Sequence, residues 1–104
     1  MGFAPVVGSG PDQAARLRAA AADGRTAELE TLLAQGVPVD AQDDDGTTAL
    51  MKSIQADQPA AAALLRRHGA NLDQKDRAGV SARDMARAKH DPELDQALRL
   101  DDGR

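Results

Sequence analysis

The chain has 104 residues, enough for one domain by the usual length prior, with 41% hydrophobic but only 1% aromatic side chains. Thirteen basic and seventeen acidic residues give a net charge of −4, which argues against sequence-independent nucleic-acid binding, since that rests on Lys and Arg neutralising phosphates. There is no cysteine, so disulfides and thiolate metal sites are excluded, and no stretch approaches the roughly 18 apolar residues that span a bilayer.

A core that lacks aromatic residues has to be built by alanine and leucine. That favours close-packed helices over strands, which draw on β-branched and aromatic residues. Residues 1–11 read as a flexible N-terminal tail, without the basic start and long apolar stretch of a signal peptide. The expectation is therefore a cytoplasmic protein; a periplasmic or secreted one stays open if a leader was removed.

In chain order, a first helix carrying Leu17 and Ala20 is expected to start at a cap, Asp12, and to break at Asp23-Gly24. A second helix bears Leu29, Leu32 and Leu33 and ends at Gly36. A polar connector, Val37 to Thr47, has a glycine near its tip and a short alternation at Val37 and Val39. Thr48 caps a third helix through Leu50, Ser53 and Ile54, and Asp57 and Gln58 break it. Pro59 opens a fourth helix, at the position that tolerates its missing N–H, with Ala61, Leu64 and Leu65 on one face and a stop at Gly69. After a second connector, Ala70 to Val80, Ser81 and Asp84 form a capping-box pattern for a fifth helix. Asp91 and Pro92 open a sixth, with Leu94, Ala97 and Leu98 inward. Residues 101–104 read as a C-terminal tail.

These elements repeat with an offset of 33. It pairs Gly36 with Gly69, Gly46 with Gly79, Asp43 with Asp76, Thr48 with Ser81, Pro59 with Pro92, and Leu32 with both Leu65 and Leu98. So many similar pairs at one offset mark a repeat protein. If the register is real, Leu32, Leu65 and Leu98 share one interior and the two glycine-bearing tips project together.

Asp43-Asp44-Asp45-Gly46-Thr47-Thr48-Ala49-Leu50 resembles the loop and first-helix start of the ankyrin repeat. Leu64-Leu65-Arg66-Arg67-His68-Gly69-Ala70-Asn71-Leu72-Asp73 resembles the end of its second helix and the following turn. The resemblance covers roughly residues 12–100. It implies an all-α repeat fold, a short ankyrin solenoid of three helix-turn-helix units (about 12–42, 43–75 and 76–100) joined by hairpin-like loops. Departures from the family pattern are Met51 in place of His, Ala49 in place of Pro, Arg83 in place of a core Leu, and Asp57 in place of the Gly between helices. Polar Arg83, Asp95 and Arg99 fit a C-terminal cap whose outer face meets water, and three units suggest a complete, modestly stable stack.

Catalytic chemistry finds no support. His68 sits at a helix end, where a cation suits the dipole, and His90 lies in a loop; Ser53 is on a core face, Ser81 is a cap and Ser9 lies in the tail. The run Asp43-Asp44-Asp45-Gly46 fails as a calcium loop: with Gly46 sixth, the first position is Ala41 and the twelfth is Lys52. Gly8-Ser9-Gly10 is too short for a phosphate loop. No catalytic, cofactor or metal site is expected. The basic clusters Arg66-Arg67-His68 and Arg83, Arg87, Lys89 read as solvated helix faces.

The resemblance instead implies a protein-binding module, using the concave face made by loop tips and first helices. The matching positions are Asp44, Asp45, Thr47, Met51, Lys52, Gln55, Arg77, Val80, Asp84 and Lys89. Met51, beside Thr47 and Val80, is the candidate apolar anchor. The acidic first tip suggests a partner with a partly basic patch. The expected molecule is a monomer on its own, an adaptor or inhibitor of one specific protein. The alternative is a structural or immunity-type subunit of a stoichiometric complex. The Ala, Arg, Asp and Gly bias fits a high-GC bacterial genome.

Overall fold

The structure, a computed structural model, describes residues 11–98; residues 1–10 of the expected N-terminal tail, the C-terminal tail and Arg99 lie outside the described residues, while Pro11 belongs to the first helix. Six helices follow in order: α1 (Pro11–Asp23), α2 (Thr26–Ala34), α3 (Ala49–Gln55), α4 (Pro59–Arg67), α5 (Ala82–Lys89) and α6 (Pro92–Leu98). No strand occurs among the described residues, only an isolated antiparallel bridge between Lys75 and Ser81.

The helices are short enough to be marginal in water alone, so packing must hold them. They pair as α1–α2, α3–α4 and α5–α6, and the pairs stack into two layers: α1, α3 and α5 in one, α2, α4 and α6 in the other. The fold is thus an all-α repeat solenoid. Its interior is continuous from Leu17 to Leu98, with Leu32, Leu65 and Leu98 all buried in it as the register requires. Ala49, Ala61, Ala62, Ala82 and Ala86 have no exposed surface, and these methyl-sized side chains let neighbouring helices approach closely.

The start and stop chemistry follows the sequence. The Thr48 hydroxyl accepts from the Met51 N–H at 3.3 Å. Ser81 and Asp84 make a reciprocal capping box. Asp91 takes the equivalent role at α6, its carboxylate accepting from the Glu93 N–H at 3.0 Å. One boundary differs. α1 already includes Pro11, one residue ahead of the expected start at Asp12.

The breaks between paired helices obey the same period. Gly24, Asp57 and His90, 33 residues apart, all have positive φ, of 73°, 60° and 52°. Only the first is the residue type suited to that conformation. Asp57 and His90 hold a left-handed turn that the fold imposes on them.

Towards the C-terminal end, the positions equivalent to buried Leu50, Met51 and Ile54 are Arg83, Asp84 and Arg87, none of them buried. Arg83 does not enter the core as the family's leucine does. It lies half-buried and grips Asp73 with Nε at 2.8 Å and Nη2 at 3.3 Å. α6 packs more extensively on α4 than on its own partner α5.

Candidate functional site: the stapled loop tips

Each connector folds back on itself by the same bonds. In the first, the Asp43 N–H donates to the Thr47 carbonyl at 3.0 Å and the Gly46 N–H to the Asp43 carbonyl at 2.9 Å. In the second, Asp76, Val80 and Gly79 repeat both bonds at 3.0 Å. The Asp43 carboxylate accepts from the Asp45 and Thr47 N–H groups at 2.8 and 2.9 Å. The Asp76 carboxylate accepts likewise from Ala78 and Val80, both at 2.9 Å. An aspartate that ties up two turn N–H groups explains why each tip begins with this residue. The Thr47 N–H bond, followed by that of Asp45, holds the Asp43 carboxyl below its usual range.

The two tips are then stapled to one another. The Arg77 N–H donates to the Asp45 carbonyl at 2.9 Å, and Arg77 Nη1 to the Asp44 carbonyl at 3.0 Å. The Gln42 side-chain amide donates to the Gly46 carbonyl at 2.9 Å and to the Lys75 carbonyl at 3.0 Å. Below them the Asn71 N–H donates to the Asp40 carboxylate at 2.9 Å. The tips therefore project side by side as one rigid edge. A Cβ on Gly46 would lie 2.9 Å from both the Arg77 nitrogen and the Asp76 Cα, so the approach is close enough to require glycine.

Of the residues singled out in the sequence, Asp44, Asp45 and Arg77 are exposed and meet at this edge. Lys52, half-buried, and Gln55, exposed, continue along α3, where the Gln55 amide reaches Met85 Sδ on α5 at 3.8 Å. Val80 and Asp84 stand at the start of α5 beside the second tip. Lys89 is at the other end of α5, pairing with Asp57 at 3.2 Å across the helix breaks. Two residues are corrected. Met51 has no exposed surface and Thr47 almost none, so neither is offered to a partner. Met51 is a core side chain, enclosed because the units on both sides cover its face of α3.

The sequence reading missed Arg18 and Gln42. Arg18 Nη1 donates to the Ala41 carbonyl at 3.3 Å, and with Ala14, Gln42, Asp43, Asp44 and Asp45 it lines a hollow of about 420 Å³ beside the first tip. The available signal was the offset itself: Gln42 bonds to the main chain of the residue 33 positions on.

Residues 17–66 match the profile of the ankyrin repeats. The chain is an ankyrin-repeat protein. Ankyrin repeats generally serve as protein–protein interaction modules and are typically non-catalytic. A search of the curated proteins finds no match to this ankyrin chain. Among the described residues, no group of three or more His, Asp or Glu side chains could hold a metal ion, and no helix is long and apolar enough to cross a membrane.

Proposed function

We propose that the stack, in repeats of about 12–42, 43–75 and 76–100, binds one specific protein as an adaptor or inhibitor. It does so through the edge formed by the two tips and the exposed residues of α3 and α5. The observation that carries this reading is the staple between the tips. Three hydrogen bonds between the tips fix Asp44, Asp45 and Arg77 in one arrangement before any partner arrives. A surface already ordered loses less entropy on association than a mobile loop does.

The first tip presents Asp44 and Asp45 with the hollow beside it, and the second contributes Lys75 and Arg77. The partner's contacting patch is therefore partly basic, opposite Asp44 and Asp45, with an acidic element opposite Lys75 and Arg77. Charge complementarity of this kind accelerates encounter and makes it sensitive to salt. The test is affinity capture at low salt with the wild-type chain, with Asp44→Lys/Asp45→Lys, and with Glu30→Lys on α2. One stoichiometric protein should be held by the wild type and the α2 variant and lost by the tip variant. Equal capture by all three rules the tips out.

A further inference from the structure

On the layer of second helices, a furrow of about 480 Å³ runs between α4 and α6, lined by Ala63, Arg66, Arg67, Gln96 and Ala97. Arginines in the last turn of α4 are expected from the helix dipole alone. Three observations go beyond that. Arg66 Nη1 is tied to the Ala70 carbonyl at 2.6 Å, which fixes the guanidinium, yet its Nε is buried and meets no acceptor. On the facing helix α6, Asp95 Oδ1 is likewise buried without a partner, so the furrow sets two guanidinium groups against one carboxylate. Neither Arg66 nor Arg67 forms an ion pair among the described residues. Asp73, whose carboxyl feels the Arg66 charge, already commits both oxygens to Arg83.

We propose that this furrow receives an acidic segment of another polypeptide, with a carboxylate on Arg66 and Arg67 and the backbone against Gln96. The acceptor type that a guanidinium fork fits best is a carboxylate or phosphate, bound by two parallel N–H groups. Gln96 favours a peptide over an isolated anion: its amide has both a donor and an acceptor, the pair that a peptide group requires. Ala63 and Ala97 leave room for a main chain to lie between the helices. This surface is separate from the tips, so one ankyrin stack would hold a partly basic patch at one place and an acidic segment at another.

The test is a titration of the full chain, labelled with 15N, with a seven-residue Glu/Asp-rich peptide at low salt. Chemical-shift changes should centre on Ala63, Arg67, Gln96 and Ala97. Arg67→Gln, an exposed change, should weaken binding about tenfold and Gln96→Ala severalfold, with backbone spectra otherwise preserved. Asp44→Lys/Asp45→Lys should leave this binding as it is, even if the tips prove to have no partner. Inorganic phosphate at equal concentration should not displace the peptide. The inference is overturned if the peptide does not bind, if its shifts lie elsewhere, if both furrow variants bind it normally, or if phosphate displaces it completely.

Discussion

A Cβ on Gly24 would sit 2.5 Å from Oε1 of Gln58, the residue just ahead of α4 in the next repeat. Gln58 reaches this place because its amide donates to the Ala22 carbonyl at 3.2 Å, tying the second unit to the first. Gly24→Ala is thus expected to lose this bond as well as suffer backbone strain at φ 73°. The loss should be about 1–3 kcal/mol in urea unfolding. At the equivalent position in the third unit, His90 already bears the strain with φ 52°. His90→Gly should therefore stabilise, by about 0.5–1 kcal/mol. Opposite signs at equivalent positions are the outcome to look for.

Gly46 and Gly69 both have positive φ, 79° and 91°, but differ in what surrounds them. A methyl at Gly69 meets nothing within 4 Å, whereas at Gly46 it meets the backbone of Asp76 and Arg77. Gly69→Ala should cost about 1 kcal/mol, the conformational part alone. Gly46→Ala adds a clash with atoms that cannot rotate away and should cost about 2–4 kcal/mol. Thermal melts of the two variants side by side measure the difference.

Met51→Ala is expected to cost about 2–4 kcal/mol, since the side chain is fully enclosed. Gln55→Ala, on the exposed side of the same helix, should change stability by less than about 0.5 kcal/mol. Equal, small effects from both would return Met51 to the surface.

The carboxyls of Asp43, Asp73 and Asp84 all lie below their ordinary value of 3.8. The dominant causes are respectively the Thr47 N–H, the Arg83 side chain and the Ser81 N–H. Each is held more tightly as the anion in the fold than in the unfolded chain. The stability they contribute is thus complete above the unfolded value near 3.8 and fades as pH falls through the lower folded values. Asp43→Asn keeps an acceptor without the charge. It should be less stable than wild type at pH 7, with the gap narrowing as pH falls below 3.8 in paired urea titrations.

The period was legible in the sequence because stacked units need like side chains in like places: Leu32, Leu65 and Leu98 are all interior. The caps at Thr48 and Ser81 were legible because hydroxyls ahead of a helix act locally. Met51 was not, because one strand of sequence tells which way a side chain points and not whether the neighbouring unit covers it. The same holds for Gln42, a polar loop residue free to point anywhere until the second tip supplies the Lys75 carbonyl. Asp57 was legible as the stand-in for the Gly between helices, but not that it and His90 keep the left-handed turn, because neither is the residue type that such a turn selects.

Arg83, Asp84 and Arg87, standing where the middle unit has Leu50, Met51 and Ile54, make the units unequal as building blocks. A duplicate of residues 43–75 spliced in ahead of residue 76 carries apolar residues on both of its faces, and the array should lengthen by one cooperative unit. A duplicate of the third unit would have to bury three charges against its neighbour, and lengthening by that route should fail.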